Sequence, residues 1–352
     1  MELRIGVIGA AGFIGRDHIR RLTDTIPNAC VRAVSDLNEE KTQEVAKTCG
    51  ARVYSDGFEL IRDPEVDAVL VTSWDPTHAQ FVRGAIAANK PVFCEKPLAS
   101  TLEDCFQIIR EEMAAGKHLI QVGYMRRFDP GYLEMKQILD SGVLGRPLLV
   151  HCKSRTPVTP PQHTTRMHAT NVVVHEIDVL RWLLEDEFTQ VQAFLGRPSC
   201  YAPEGLQDPQ LMLLRTRQGV IVDVEVAVNA HFGYEIQCEV VCEKGTVTLP
   251  QPTRAMVCLD QQCSHGIMND WSKRFVEAYQ EELKLWVEAC LQKKAFSGSS
   301  AWDGYVACAV AETLANSQDT GRMEKVELPS CPDFYRNPTS SCNNAKNEAV
   351  DA

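Results

Sequence analysis

Short apolar runs and amphipathic stretches alternate through the first third of the chain. Residues 4–8, 30–35, 68–71, 91–94 and 119–122 read as strands. Stretches such as 37–49 and 101–115 repeat apolar positions at helical spacing, with Glu and Lys on the outer side. The alternation predicts βαβ units feeding a parallel sheet. Past Val122 the period changes. Residues 219–228 and 237–241 alternate apolar and polar side chains, and Arg217-Gln218-Gly219 and Glu243-Lys244-Gly245 read as turns. The second part is expected to be an α+β domain with a mostly antiparallel sheet, carrying one helix over 174–184 and a long one over about 269–293. Residues 337–352 are rich in Asn, Ser, Thr and Lys, with almost no large apolar side chain, and predict a disordered tail.

At 352 residues the chain is long enough for two domains that each bury a core. The formal net charge is −11 and the pI near 5.4. That balance disfavours nucleic acid and anionic membrane surfaces as partners, because a phosphate backbone demands clustered Lys and Arg, and Arg126-Arg127 is too small a cluster. Residues 1–11 read as a polar-flanked strand rather than a secretory signal or transit peptide, and no apolar run reaches membrane-spanning length. Fourteen cysteines are scattered through apolar and helical contexts such as Cys94, Cys152 and Cys308, and are expected as reduced thiols in the cytoplasm. The closest pairs, Cys238 with Cys242 and Cys258 with Cys263, lack the paired CxxC spacing of a zinc site and a suitable His partner, so no metal site is expected.

The first strand runs into Gly6-Val7-Ile8-Gly9-Ala10-Ala11-Gly12-Phe13-Ile14-Gly15. Glycines at such a strand-to-helix turn let the chain bend sharply and bring backbone N–H groups up to a pyrophosphate at the helix N-terminus. The GxxGxxG spacing is one residue longer than the common GxGxxG, which predicts a wider turn; a plain strand-to-helix connection is the alternative for any lone glycine loop. Asp36 follows the second strand, where a carboxylate accepts the two ribose hydroxyls of NAD and repels the 2′-phosphate of NADP. Leu37 and Asn38 come next, with no Arg, so NAD is expected over NADP. Candidate cofactor residues of this turn are Gly9, Ala11, Gly12, Phe13, Ile14 and Asp36. Ser73, Trp74 and His78 follow the strand ending at Val71, and Glu95 and Lys96 end the next. All lie at the carboxyl edge, where ligands bind in open α/β sheets. His78 either touches cofactor or caps the following helix. Pro97 fixes the backbone, through a trans or a cis bond, so that Glu95 and Lys96 point into the cleft; the alternative for Lys96 is a solvated surface lysine.

Six stretches in order then carry a resemblance: Val69-Leu70-Val71-Thr72-Ser73-Trp74, Val92-Phe93-Cys94-Glu95-Lys96-Pro97-Leu98-Ala99, Gln121-Val122-Gly123-Tyr124-Met125-Arg126-Arg127-Phe128-Asp129, His175-Glu176-Ile177-Asp178-Val179-Leu180, Gly233-Tyr234-Glu235-Ile236-Gln237-Cys238-Glu239 and Ala301-Trp302-Asp303-Gly304-Tyr305. Over residues 1–336 the chain resembles the glucose-fructose oxidoreductase and inositol dehydrogenase (GFO/IDH/MocA) family, most of all its bacterial inositol 2-dehydrogenases. The resemblance implies an α/β fold: an NAD-binding Rossmann domain over 1–122, then an α+β domain over 123–336. By the same resemblance the second domain is expected to bind substrate, and the exposed face of its open sheet to assemble homodimers or homotetramers.

The family's catalytic Lys and His map onto Lys96 and His175. Hydride leaves an alcohol carbon only as the hydroxyl proton is lost, so a base is needed within hydrogen-bond reach. Imidazole titrates near neutral pH and suits that task, and an ammonium stabilises developing alkoxide charge. Four residues before the histidine the family usually carries Asp, and here Asn171 stands. Asn can hold an imidazole tautomer but cannot stabilise an imidazolium. Three readings follow: slower chemistry, a changed substrate, or lost catalysis. Met125, Arg126, Tyr234, Trp271 and Tyr279 carry over as polyol contacts, with Asn171, His175 and Thr156, the last standing where similar inositol dehydrogenases tend to carry Asn. Trp271 and Tyr279 also read as core. Asp178 is expected to stabilise a helix or bridge domains rather than to catalyse. The implied activity is NAD-dependent oxidation of a cyclic polyol, myo-inositol to scyllo-inosose, in the cytoplasm. Alternatives are a glucose-like pyranose or scyllo-inositol as substrate, or a regulator that keeps NAD binding and has lost turnover.

Overall fold

The structure, a computed structural model, describes residues 2–251 and 255–336. It divides into two compact units. The first holds the described residues up to Tyr124, Gln280–Val306 and those from Pro329 on, and the second holds Met125–Tyr279 and Ala307–Leu328.

In the first unit the chain forms β1 (Leu3–Ile8), α1 (Phe13–Asp24), β2 (Ala29–Ser35), α2 (Glu39–Cys49), β3 (Arg52–Tyr54), α3 (Gly57–Arg62), β4 (Ala68–Val71), α4 (His78–Ala87), β5 (Val92–Glu95), α5 (Leu102–Ala115) and β6 (Ile120–Gly123). The strands lie parallel in the order β3-β2-β1-β4-β5-β6. All five expected strands are present. The extra one, β3, is a three-residue edge strand, Arg-Val-Tyr, too short to show a period. Every residue of β4 and β5 is buried, as in a parallel sheet covered on both faces. The helices start and stop on local chemistry. Asn38 and Thr101 accept hydrogen bonds from Lys41 N and Asp104 N to cap α2 and α5, and Gly50 and Gly116 end them in the left-handed region. The strand order reverses between β1 and β4, where Ile8 pairs with Val71. That is the switch point at which α/β sheets bind ligands.

The second unit begins with α6 (Pro130–Asp140), β7 (Pro147–Arg155), α7 (Val174–Leu184), β8 (Phe188–Leu195), β9 (Gln210–Thr216), β10 (Ile221–Ala227), β11 (Glu235–Cys242), β12 (Thr246–Thr248), a hairpin of β13 (Met256–Leu259) and β14 (Gln262–His265), and α8 (Trp271–Arg274). Along the chain then come α9 (Val276–Gln292), mostly in the first unit, α10 (Ala301–Thr320), shared between the two, β15 (Glu324–Lys325) in the second and α11 (Asp333–Arg336) in the first. The large sheet runs β12-β11-β7-β10-β9-β8-β15. Every neighbouring pair is antiparallel except β7 with β10. β10 and β11 bury alternate residues, so one face is core and the other stays open.

Three expectations change here. The helix expected over about 269–293 is broken at Phe275 into α8 and α9. Phe275 is fully buried, edge-on to Tyr234 and 4.6 Å from the Arg274 guanidinium, so its packing outweighs helical continuity. The polar residues expected at the head of the 174–184 helix begin earlier, in a π-helical turn over His168–Val173. The residues expected to lie wholly past the first domain also return to it. Leu283, Trp286 and Val287 join the core cluster of Ile5, Val7, Leu70 and Phe93, with the rings of Phe93 and Trp286 edge to face at 5.7 Å. The expected tail, 337–352, lies outside the described residues.

Candidate active site

The glycine turn is shaped by close backbone approach. Gly9 has φ +86, and a Cβ there would stand 2.3 Å from Ser73 N; one on Gly15 would stand 2.3 Å from Gly9 O. Only glycine lets β1, the loop after β4 and α1 come this close. Gly12 N donates to Gly9 O at 3.2 Å, so the additional residue is taken up in a hydrogen-bonded turn. Gly12 is the N-cap of α1, whose first turn carries no acidic side chain and is therefore suited to an anion. Both Asp36 oxygens are held by main chain: Oδ2 accepts from Ala11 N at 3.0 Å and Oδ1 from Asn38 N at 3.1 Å. Each oxygen keeps a further lone pair. Leu37 beside it is 99% exposed, so no cation stands next to the carboxylate in sequence. Phe13 and Trp74 are exposed and Ile14 half-buried, while the Ser73 hydroxyl lies 2.6 Å from that of Thr77. A glycine cradle, an acid-free helix start and an anchored carboxylate together fit NAD.

Two predicted cofactor residues turn inward instead. His78 is buried, with Nδ1 2.7 Å from Pro97 O and Nε2 2.9 Å from Ser73 O. Both ring nitrogens are committed to main-chain oxygens, so His78 ties the loop after β4 to the loop after β5. Glu95 is also buried. Its Oε1 meets His18 Nε2 at 2.7 Å and its Oε2 accepts from Lys96 N at 3.2 Å. It braces the strand end rather than pointing into a cleft. Lys96, half-buried, follows at once and precedes a cis Lys96-Pro97 bond. His18 was missed. Its signal was periodicity, since it falls on the buried face of α1 with Gly15, Ile19 and Leu22.

In the second unit Met125 and Arg126 lie in a short 3₁₀ turn over Met125–Phe128. Arg126, expected to contact substrate, is 2% exposed and hydrogen-bonded to Glu176, itself 1% exposed. Burial alone would lower the pKa of the guanidinium, and the charge of Glu176 more than offsets that, keeping it raised. Arg126 is a buried framework group. Asp178 plays the structural part expected of it, accepting two bonds from Arg127 at 2.9 and 2.6 Å. No local pattern pairs residues 50 and 51 apart, so these ion pairs were not legible beforehand.

Asn171 and His175 remain half-buried, unlike Glu176, Ile177 and Asp178 beside them. The π-helical turn holds Asn171 and runs into α7, whose second residue is His175; such turns recur at functional sites. Tyr234 is 8% exposed, and burial pushes its phenol up to about 12, so it stays a neutral hydroxyl at ordinary pH. Thr156 lies after β7 with its N–H on Ala227 O at 2.8 Å and its carbonyl on Ala230 N at 2.9 Å. The rings of Trp271 and Tyr279 lie 5.5 Å apart; Tyr279 is buried, as the core reading had it, and Trp271 is half-buried. Among the described residues no group of three or more His, Cys, Asp or Glu is placed to hold a metal, and no helix is long and apolar enough to cross a membrane.

Comparison with known proteins agrees with this geometry. The profile of an oxidoreductase family with an NAD-binding Rossmann fold matches residues 3–124, and that of the GFO/IDH/MocA C-terminal domain matches residues 132–248. The inositol 2-dehydrogenase of Klebsiella pneumoniae is 45% identical over 96% of this chain and all of its own length. An inositol 2-dehydrogenase/D-chiro-inositol 3-dehydrogenase of Shouchella clausii is 45% identical over 97% of this chain and 99% of its own. Among solved structures, the myo-inositol dehydrogenase of Lactobacillus casei in complex with NAD(H) and myo-inositol superposes with a TM-score of 0.93 at 36% identity, over 95% of this chain and all of that one.

Proposed function

Because the chain belongs to the GFO/IDH/MocA family of NAD-binding oxidoreductases, we propose that it oxidises the 2-hydroxyl of myo-inositol to scyllo-inosose. The observation that carries this reading is the full-length likeness to a dehydrogenase solved with NAD(H) and myo-inositol. Gly9, Ala11, Gly12 and Asp36 would hold the cofactor's pyrophosphate and ribose, with Phe13, Ile14, Ser73 and Trp74 alongside. Bound NAD supplies the hydride acceptor. His175 takes the hydroxyl proton, and Lys96 donates a hydrogen bond to the same oxygen and stabilises its developing negative charge. Tyr234 offers a neutral donor, and Met125, Thr156, Trp271 and Tyr279 shape the ring's surroundings. Asn171 orients the imidazole without stabilising its cation.

The likeness to the Shouchella clausii enzyme makes D-chiro-inositol the nearest competing substrate. The test is the initial rate of NADH appearance with NAD and myo-inositol, scyllo-inositol, D-chiro-inositol or glucose, and with NADP in parallel. The fastest turnover is expected with NAD and myo-inositol. Asn171 favours one other reading, a cofactor-binding regulator; NAD binding with no turnover across the panel would point to it or to a sugar outside the panel.

The reading extends to assembly and place. A homodimer or homotetramer forms through the open face of the large sheet, where Leu149, Leu211 and Phe194 stand 40, 40 and 43% exposed. We place the protein in the cytoplasm, where thiols scattered through apolar and helical contexts stay reduced.

A further inference from the structure

Two cysteine pairs face each other across neighbouring strands. Cys152 of β7 is registered with Cys238 of β11, and both are buried. Cys258 of β13 is registered with Cys263 of β14, and both are exposed, with their sulfurs 3.1 Å apart. The hairpin geometry explains that closeness. Asp260 and Gln261, with φ of 52 and 62, form a two-residue turn of the type whose twist suits a hairpin. Leu259 and Gln262 flank the turn as the first pair. The next pair, Cys258 with Cys263, is then the non-hydrogen-bonded one, in which the backbones approach most closely. That separation lies within the range a disulfide spans. The strands of this hairpin are exposed throughout, so oxidants reach both sulfurs.

We propose that Cys258 and Cys263 are a reversible oxidation site, closing to an intrachain disulfide when the protein meets a peroxide and reopening with a dithiol. One thiol of the pair gives up its proton and attacks a peroxide oxygen as the thiolate, breaking the O–O bond and giving a sulfenic acid and a hydroxide that takes up that proton as water. The other sulfur then displaces the sulfenic oxygen, forming the S–S bond and releasing a second water. Two electrons pass from the sulfur pair to the peroxide. The contact between the sulfurs raises the Cys263 pKa, and either sulfur can carry the hydrogen between them. Cys152 and Cys238 have the same cross-strand register without access, and so act as an internal control.

The experiment uses the full chain, reduced, desalted, exposed to hydrogen peroxide, alkylated and digested. Expected is a peptide spanning Cys258 and Cys263 that is two hydrogens lighter and carries no alkyl group, restored by dithiothreitol, while Cys152 and Cys238 give the same peptides as in unexposed protein. With the partner sulfur gone, Cys263→Ser and Cys258→Ser should each leave a sulfenic acid on the remaining cysteine that dimedone traps. Full alkylation of both cysteines after peroxide would overturn the proposal, as would equally fast loss at Cys152 and Cys238. The readout is a mass and does not depend on dehydrogenase activity.

Discussion

The two units hold their polar residues in place by different means. Along the candidate cofactor edge of the six-stranded unit main-chain groups do most of the holding: Asp36 accepts from Ala11 N and Asn38 N, and His78 lies against two carbonyl oxygens, while Glu95 meets the His18 side chain. In the seven-stranded unit buried charge is held by charge, as Arg126 with Glu176, Arg127 with Asp178 and Arg274 with Asp129. The difference teaches what each unit is asked to do. Main-chain donors leave a carboxylate such as Asp36 with lone pairs for a ligand. Buried ion pairs use up the charges they fix, and so make a rigid frame behind half-buried groups such as Asn171 and His175. A motif residue is therefore not a ligand contact merely because it is polar.

Lys96→Ala removes a group assigned to chemistry rather than to either kind of frame. Turnover is expected to fall by about 10²–10⁴-fold, the usual worth of a positioned acid–base group, with NAD affinity by fluorescence titration nearly unchanged. Glu176→Ala leaves Arg126 buried without its partner and should cost about 3–5 kcal/mol of unfolding free energy in urea. Asp36→Ala, by contrast, removes a half-exposed carboxylate and should leave stability within about 1 kcal/mol of the parent while narrowing the preference for NAD over NADP. If Asp36→Ala destabilises as much as Glu176→Ala, the contrast between the units fails.

Titration sharpens the same contrast. In the first unit burial pushes Glu112 up to about 7 from 4.5, against hydrogen bonds from Tyr335, Leu119 N and Ile120 N. A raised carboxyl stabilises the fold fully below pH 4.5, and that stability is lost as pH rises through about 7. The shift corresponds to on the order of 3 kcal/mol. In the second unit burial, helped by nearby His168, pushes His163 down to about 4 from 6.5, which costs nothing above pH 6.5 and progressively more as pH falls toward 4. Melting temperatures measured between these limits should show the gap between parent and Glu112→Gln closing as pH rises. The gap between parent and His163→Gln should move the opposite way. Smallest in structural consequence is Asn171→Asp, which should raise kcat if Asn171 is a tolerated loss of charge; a fall would mean the site is fitted to the amide.

Much of the first unit was readable because its strands are short, largely apolar and separated by helices, several of them capped, so the wholly apolar β4 appears in the sequence with its bounds intact. The glycine turn and Asp36 were readable because backbone geometry demands those residue types. What the period does not encode is long-range pairing. Glu95 finds His18, and Arg126 finds Glu176, only once the chain has folded. The same holds for Phe275, whose burial breaks a helix that local spacing alone would continue. The π-helical turn carries no compositional mark at all, because Ala169, Thr170 and Val172 suit several helical windings.

The most direct test of the central claim is to supply NAD and myo-inositol deuterated at C2 and to follow the label by mass spectrometry. The account predicts that deuterium leaves the polyol, that the product is unlabelled scyllo-inosose, and that the reduced nicotinamide carries the label. Unlabelled NADH would mean that another carbon is oxidised. No NADH from protein shown to bind NAD would contradict a dehydrogenase acting on myo-inositol.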